Sequence, residues 1–252
     1  MTDAIFPSLK GRLVLVTGGG SGIGAGLVEA FARQGARVVF FDVAEAESRA
    51  LEASLAGLSP APVFHWCDLT RVEALQACFT EVIAEHGPVD VLVNNAANDD
   101  RHTLDEVTPA YWDERIAVNL RHLYFAAQSV APGMRQRGRG VILNLGSISW
   151  HLGLPDLSLY ETAKAGIEGM TRALARELGS DGVRVACIVP GNVKTPRQSK
   201  WYTAEGEAEI VAAQCLKGRI EPRDVAALAL FLASDDARFI TGHEYFVDAG
   251  WR

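Results

Sequence analysis

Short apolar runs alternate along this chain with longer stretches in which apolar residues recur at helical spacing. Seven of these runs, rich in Val, Ile and Leu, predict strands at residues 12–17, 37–41, 63–67, 89–94, 141–145, 184–189 and 244–247. Strands of this composition that are separated by helices are typical of a parallel sheet buried on both faces. The pattern therefore predicts an α/β fold with a seven-stranded, mostly parallel sheet and helices on both faces.

The predicted elements follow one another without an internal repeat, a low-complexity segment or a linker. Residues 1–252 are therefore predicted to form a single doubly wound domain of the Rossmann type. Residues 191–220 break the regular rhythm with a loop, a short helix over 204–215 and another loop. An insertion of this length between a strand and a helix is more often a functional lid than plain coil. We expect it to be a substrate loop.

Charge and composition narrow the function classes. The 252 residues include 31 acidic and 24 basic side chains, for a net charge of −7, and such a surface repels phosphate backbones. No apolar run reaches membrane-spanning length and the first residues do not resemble a secretion signal, so a cytoplasmic protein without nucleic-acid or membrane partners is expected. The four cysteines show no CxxC spacing, and Cys67 and Cys187 are interpreted as reduced core residues. The six histidines form no cluster at metal-ligand spacing, so no metal is predicted.

A glycine-rich turn follows the first predicted strand and opens a helix. Its sequence, TGGGSGIG, lets the backbone turn tightly and approach a pyrophosphate, while the helix N-terminus offers N–H groups to it. A plain tight turn is the alternative interpretation, but the preceding strand and the following helix supply the context that the motif requires. The residues predicted to bind the cofactor here are Gly18, Ser21, Gly22, Ile23 and Gly24.

Acidic and small residues end the next predicted strands. Asp42 ends the second strand, where a carboxylate accepts hydrogen bonds from ribose hydroxyls and repels a 2′-phosphate. Because the glycine-rich turn contains no Arg or Lys, NAD is predicted in preference to NADP; a solvent-exposed loop aspartate is the alternative. Asp68 and Leu69 follow the third strand near the expected adenine, and Asn95 and Ala96 end the fourth strand, where small residues leave room for the cofactor.

A tyrosine, a lysine and a serine form the candidate catalytic group. Tyr160 and Lys164 are four residues apart in a stretch of helical periodicity, residues 157–179, so they share one helix face. A phenol with its usual pKa of about 10 is a poor base at neutral pH, but a nearby ammonium favours the phenolate and lowers that pKa. Ser147 ends the fifth strand, where its hydroxyl can hold a substrate oxygen. A packed tyrosine beside a lysine with a solvated head is the alternative, since this pair alone is a weak signal.

These motifs, together with NNAA, Asn119 and PGNVKT, resemble the short-chain dehydrogenase/reductase family in order and spacing, over nearly the whole chain. The resemblance implies that Tyr160 is the general acid/base and that Ser147 orients the reacting oxygen. Lys164 is implied to bind the nicotinamide ribose and to lower the tyrosine pKa. Asn119 is implied to support a water that relays protons from this lysine.

The same resemblance implies further cofactor contacts and an assembly. Val193 and Thr195 are expected at the nicotinamide end of the cofactor, preceded by Pro190 and Gly191. Ala97 stands where the family usually has glycine, and we expect its methyl to tighten the local backbone without changing the assignment. In tetramers of this family, the helices that correspond to residues 109–138 and 157–179 typically form a four-helix interface. A homotetramer is therefore expected.

The segments expected around the substrate are polar and aromatic rather than aliphatic. Hydrogen-bonding side chains and indole faces suit a sugar, whereas a steroid or an acyl chain needs an apolar slot. Taken singly, these residues are equally well explained as ordinary surface loop residues. Besides Ser147 and Tyr160, the predicted substrate contacts are Asn98, Trp150, His151, Asn192 and Trp201.

Longer stretches, among them NDDRH and GSISWHLGL, resemble the aldose-oxidising members of the family. This resemblance implies NAD-dependent oxidation of the anomeric C1 hydroxyl of a cyclic aldopentose, foremost D-xylose, to an aldonolactone. Other sugars or polyols, such as L-arabinose or D-glucose, and 3-oxoacyl substrates remain alternatives on the same fold. A nucleotide-sensing or scaffolding protein without catalysis is a further alternative, which the presence of the serine, tyrosine and lysine disfavours.

Overall fold

Seven strands form one sheet, with apolar side chains on both of its faces. A computed structural model describes residues 4–199 and 203–251. The strands are β1 (Leu13–Thr17), β2 (Arg37–Asp42), β3 (Val63–Trp66), β4 (Val91–Asn94), β5 (Gly140–Leu145), β6 (Val183–Pro190) and β7 (Glu244–Val247). Their order across the sheet is β3-β2-β1-β4-β5-β6-β7, and every neighbouring pair is parallel. The predicted α/β fold with a seven-stranded sheet is thereby confirmed.

Helices cover both faces of this sheet. They are α1 (Gly22–Arg33), α2 (Glu45–Ser54), α3 (Val72–His86), α4 (Pro109–Ile116), α5 (His122–Arg137), α6 (Ser149–Leu152), α7 (Ser158–Leu178), α8 (Pro196–Ser199), α9 (Ala204–Ala213) and α10 (Pro222–Ala233). In β1, Val14 and Val16 pack with α1 and α10, whereas Leu13 and Leu15 pack with α3, α5 and α7. Each of these fully buried side chains contributes about 1.5–3 kcal/mol. Across the two described ranges, no helix is both long and apolar enough to span a bilayer.

The chain reverses its direction across the sheet between β1 and β4. After β1 it adds β2 and β3 on one side, and it then returns to place β4 on the other side of β1. In open parallel sheets, ligands bind outside the carboxyl ends of the strands at such a switch point. Thr17 and Asn94, the last residues of β1 and β4, are register partners. The glycine-rich turn and the loop after β4 therefore flank the same crevice.

The insertion after β6 has more regular structure than the sequence predicted. It contains two short helices, α8 and α9, where a single helix over residues 204–215 was expected. α9 ends at Ala213 because Gln214 has an extended backbone, with ψ at 148°. A parallel bridge joins Val193 to Ile220, and Lys194 N donates to Ile220 O (2.8 Å), so the two ends of the insertion are fixed to each other.

Candidate active site

The turn after β1 is so compact that its glycines leave no room for side chains. A Cβ on Gly24 would lie 1.9 Å from the carbonyl oxygen of Gly18, and one on Gly18, whose φ is +65°, would lie 2.7 Å from Cα of Ala96. α1 begins at Gly22, and Ser21 at its N-cap makes no side-chain hydrogen bond to the helix. The N–H groups of the first helical turn are thus available to an anion. This cradle fits the pyrophosphate of a dinucleotide.

The loop after β4 holds the glycine-rich turn in place. Asn95 Nδ2 donates to the carbonyl oxygens of Thr17 (3.0 Å) and Gly18 (2.8 Å). In return, Thr17 Oγ1 accepts from the backbone N of Asn95 (3.0 Å) and of Ala96 (3.2 Å). Asn95 was predicted from the sequence as a cofactor contact, and the structure shows that its amide braces the turn. Ile23, in the first turn of α1, packs against the core beneath.

Asp42 ends β2 beside the glycine-rich turn. Its Oδ2 accepts from the backbone N of Gly20 (2.8 Å), and its Oδ1 accepts from the N–H group two residues further on (2.9 Å). A carboxylate has about four lone-pair sites, so the group can also accept from ribose hydroxyls. Asp68 closes a local turn, because its Oδ1 accepts from both the N (3.0 Å) and the Oγ1 (2.6 Å) of Thr70, with Leu69 buried between them.

The structure brings Ser147, Tyr160 and Lys164 together. Ser147 lies two residues beyond β5 rather than at its end, and the other two residues occupy the first turns of α7. Ser147 lies near enough to Tyr160 to lower the pKa of its phenol. Lys164 Nζ lies 5.3 Å from the centroid of the Tyr160 ring and donates to the carbonyl oxygen of Leu145 (2.8 Å). The end of β5 thus holds both the serine and the lysine ammonium.

Burial is the largest influence on the pKa values of Tyr160 and Lys164. Burial, followed by the negative charge of Asp99, raises the pKa of Tyr160, while Ser147 and the charge of Arg197 lower it. Burial lowers the pKa of Lys164 from 10.5 to about 8. The sequence predicted a lowered tyrosine pKa next to Lys164; the structure gives a raised one, because desolvation of the phenolate outweighs the contributions of Ser147 and Arg197 that lower it.

Asn119 is fully buried in a π-helical segment, Ala117–Arg121, between α4 and α5. Its amide binds the backbone of Asn98 twice: Oδ1 accepts from Asn98 N (2.8 Å) and Nδ2 donates to Asn98 O (2.9 Å). Single-turn π segments inside helices occur frequently at functional sites. Here the segment fixes the loop after β4 next to the tyrosine. The water relay through Asn119 stays a prediction.

An ionic contact between two distant segments was not foreseen from the sequence. Arg197 of α8 contacts Asn98 Oδ1 (2.8 Å), Asp99 Oδ1 (2.9 Å) and Asp100 Oδ1 (2.9 Å) in the loop after β4, and Gln198 Nε2 donates to Asp99 Oδ2 (3.0 Å). The two segments lie almost a hundred positions apart, so no local pattern indicates the pairing. These contacts join the insertion to the loop that carries Asp99.

The PGNVKT segment leads from β6 to the cofactor crevice. Pro190 is the last residue of β6, and a Cβ on Gly191 would lie 2.7 Å from the backbone beside β7. Val193 is buried, and its backbone forms the parallel bridge to Ile220 that closes the insertion. A Cβ on Gly22 would lie 3.4 Å from the methyl of Thr195, so this threonine adjoins the glycine-rich turn. The placement agrees with cofactor contacts from this segment.

The predicted sugar contacts in the insertion have specific neighbours. Asn192 Oδ1 accepts from Arg219 Nη2 (2.9 Å), and Arg219 Nη1 lies 2.9 Å from Glu207 Oε1 of α9. Asn192 is thus connected to the far end of the insertion. Trp201, the other predicted contact, lies outside the described residues.

Trp150 and His151 are held by a buried carboxylate. Trp150 Nε1 donates to Glu168 Oε1 (2.8 Å), His151 Nε2 lies 3.0 Å from the same oxygen, and the two rings stack with centroids 3.9 Å apart. These three residues line a cavity of about 550 Å³ whose lining includes neither Ser147 nor Tyr160. The sequence predicted Trp150 and His151 as substrate contacts, which stays a prediction; the structure shows that both bind Glu168, one turn beyond Lys164.

The structure brings two of the six histidines together with a carboxylate, a grouping that the sequence did not indicate. His65 of β3 and His86 at the end of α3 lie with Glu85 so that one potential ligand atom from each falls within 4.8 Å of the others. The sequence separates the two histidines, and only the packing of α3 on β3 brings them together.

Known proteins share this architecture. Residues 18–252 match the profile of the family described as enoyl-(acyl carrier protein) reductase. D-xylose 1-dehydrogenase of Caulobacter vibrioides is 70% identical over 252 residues, covering 100% of both chains. A probable galactose dehydrogenase of Rhizobium meliloti is 51% identical, over 97% of this chain and 96% of its own length. The crystal structure of gox2181 has a TM-score of 0.90 at 29% identity, over 97% of this chain and 98% of that one.

The chain belongs to the short-chain dehydrogenase/reductase family. The resemblance inferred from the glycine-rich turn, NNAA and the YETAK segment is thereby confirmed. As a short-chain dehydrogenase/reductase, the protein is an oxidoreductase with a nicotinamide cofactor.

Proposed function

We propose that this protein is an NAD-dependent dehydrogenase that oxidises the anomeric C1 hydroxyl of an aldopentose, foremost D-xylose, to the aldonolactone. The observation that carries the proposal is the grouping of Ser147 and Tyr160 beside the ammonium of Lys164, at the carboxyl edge of the sheet. Full-length identity of 70% to a D-xylose 1-dehydrogenase supports the choice of sugar.

In this proposal Tyr160 is the general base and Ser147 holds the same substrate oxygen. Two hydrogen bonds to one oxygen fix the C1 hydroxyl in a reactive geometry. When bound between the glycine-rich turn and Lys164, an oxidised nicotinamide cofactor would supply the hydride acceptor for C1, and its positive charge would favour the phenolate that burial otherwise disfavours. Lys164, held by the Leu145 carbonyl, binds the nicotinamide ribose and stabilises the phenolate. Asn119 positions the loop of Asn98, and through it Asp99, beside the phenol.

Asp42 supports NAD rather than NADP as the cofactor. Its carboxylate is fixed by Gly20 N at the edge of the cradle, where the adenosine ribose of a dinucleotide lies in this fold. Two unit charges of the same sign 4 Å apart repel by about 4 kcal/mol at an effective dielectric constant of 20. We expect NAD to be preferred over NADP at least tenfold in kcat/KM. An Asp42→Ser variant should narrow this ratio by raising the activity with NADP.

A hexose dehydrogenase is the second candidate function. The relative described as a probable galactose dehydrogenase is 51% identical, so a larger aldose fits the same scaffold. The matching family profile is named for an acyl reductase, so a 3-oxoacyl compound is a further substrate to test.

Initial rates of NAD reduction with D-xylose, L-arabinose, D-glucose and D-galactose, and NADPH oxidation with a β-ketoester, test these alternatives. The highest kcat/KM is expected for D-xylose with NAD. Tyr160→Phe should lower it by at least about 10²-fold, since positioned acid–base groups contribute about 10²–10⁴-fold. Tyr245→Phe, the same change on β7, serves as the control and should leave the rate unchanged. Near-normal turnover by Tyr160→Phe would overturn the mechanism, and a higher kcat/KM for a hexose would overturn the substrate.

We also infer a homotetramer assembled through α5 and α7. An exposed tyrosine on α5, Tyr124 at 48% exposure, supports an apolar contact there, because large aromatic side chains are enriched at protein interfaces. Light scattering coupled to size exclusion tests this, with four chains of 27.1 kDa expected.

A further inference from the structure

Two imidazoles and a carboxylate converge where α3 ends over β3. His65 lies in β3 and is the register partner of Phe41, whereas Glu85 and His86 form the last turn of α3. One potential ligand atom of each lies within 4.8 Å of the others. Arg37 Nη1 donates to the carbonyl oxygen of His86 (3.0 Å), which ties the end of α3 to β2. The backbone that carries the histidine is therefore fixed before any ligand binds.

Both histidines have a buried nitrogen to which the structure assigns no partner. Nε2 of His65 and Nε2 of His86 are shielded from solvent and make no hydrogen bond within the described residues. The rings face each other edge to face, with centroids 6.4 Å apart and planes at 87°. Glu85 Oε1 lies 3.6 Å from His86 Nε2, too far for a hydrogen bond, and its side chain is 65% exposed. Leaving a buried polar group without a partner costs about 1–3 kcal/mol, so two such nitrogens side by side call for a ligand.

A neutral imidazole nitrogen with a lone pair is a metal ligand, and the set of two histidines and one carboxylate is a known zinc coordination pattern. Zn–N and Zn–O bonds of about 2.0–2.2 Å require the ligand atoms to approach more closely than 4.8 Å. Rotation of the exposed Glu85 side chain and small changes in the imidazole torsions supply this movement. The fourth position of the tetrahedron is open to water.

We propose that His65, Glu85 and His86 bind one divalent transition-metal ion of the zinc class, which clamps the end of α3 to the edge strand β3. The proposal does not depend on the proposed sugar oxidation, since none of the three residues belongs to the candidate active site. The bound ion stabilises the folded chain because an unfolded chain does not hold the three ligands together.

The test is zinc binding to the full-length protein by isothermal titration calorimetry, above neutral pH in a buffer without imidazole or chelator. One ion per chain is expected for the wild type. His65→Gln and His86→Gln should bind at least about tenfold more weakly, since even outer-shell changes at metal sites weaken binding about 10–100-fold. His243→Gln, which removes an exposed histidine in the segment before β7, is the matched control, and Cys215→Ser removes the exposed thiol; both should retain the site.

A second measurement separates lost ligation from lost folding. Zinc should raise the melting temperature of the wild type, His243→Gln and Cys215→Ser, but not that of the His65 or His86 variants. If a histidine variant melts early in the presence of EDTA, Glu85→Gln replaces it, because this exposed side chain can change without disturbing the core. The proposal is overturned if the wild type binds no zinc, if Glu85→Gln and both histidine variants bind as the wild type does, or if either control abolishes binding.

Discussion

Gly24 provides a direct test of how closely the cofactor turn is packed. In a Gly24→Ala variant the new methyl would start 1.9 Å from the carbonyl oxygen of Gly18 and 2.7 Å from Nδ2 of Asn95. Ordinary van der Waals contact begins at 3.4 Å, so the carbonyl must move away and its hydrogen bond with Asn95 must distort. Neither contact is the flexible end of a long side chain, so the strain is not relieved locally.

Overpacking of this kind costs about 1–3 kcal/mol, and the higher helix propensity of alanine returns at most about 1 kcal/mol. The net loss is therefore up to about 3 kcal/mol, which in a chain of this size lowers the melting temperature by up to roughly 12 °C. Because the displaced carbonyl belongs to the pyrophosphate cradle, the dissociation constant for NAD should rise about tenfold or more, equivalent to about 1.4 kcal/mol.

Gly206→Ala is the matched control. Gly206 is also the third residue of its helix, α9, but among the described residues a Cβ there would meet only Thr203 Oγ1, at 3.6 Å. This variant should melt at or up to about 4 °C above the wild type, because the helix gains up to about 1 kcal/mol. Differential scanning fluorimetry and NAD titration by intrinsic fluorescence measure both effects. If Gly24→Ala melts and binds NAD as the wild type does, the turn is looser than described and the reasoning fails.

Three further predictions concern the surroundings of the site. In Asp99→Asn, loss of a charge that raises the pKa of Tyr160 should lower that pKa, so the rise of kcat/KM with pH should move to lower pH; an unchanged profile would contradict the assignment. Burial lowers the pKa of His122 from 6.5 to about 4, so the unfolded chain binds the extra proton first as the pH falls. The free energy of unfolding should therefore fall by about 3 kcal/mol between pH 6.5 and pH 4. Urea unfolding should show that the free energy of unfolding of His122→Gln depends less on pH in this range than that of the wild type. Asn119→Leu leaves the backbone N and O of Asn98 unpaired, at about 1–3 kcal/mol each, and should lower both the melting temperature and kcat, whereas Asn119→Asp should recover part of the stability.

The sheet could be predicted from the sequence because most residues of each strand are apolar and turn residues separate the strands from the helices. Val14 and Leu15 face opposite layers yet are both apolar, and this pattern identifies a strand covered on both sides. The glycine-rich turn was recognisable for a similar reason, since Gly18 and Gly24 occupy places where no other side chain fits. Such local constraints leave a local trace in the sequence.

The missed features depend on contacts between distant segments. Nothing in the sequence around Asp99 indicates Arg197 as its partner, and nothing around Trp150 indicates Glu168. The pKa of Tyr160 was predicted from charge spacing alone, and the structure shows that burial reverses the direction. Burial and long-range pairing are consequences of how helices dock on the sheet, which periodicity does not specify.

The bridge between Val193 and Ile220 closes the insertion at its base. Because its two ends are joined to each other, changes within α9 need not strain β6 or α10, whereas changes at Arg197 or Gln198 of α8 reach the loop that carries Asp99. Exchanges of residues in α9 are therefore expected to leave the sheet and the glycine-rich turn in place. Relatives named for different sugars, from xylose to galactose, match this chain over nearly its full length, so one scaffold accommodates many such exchanges.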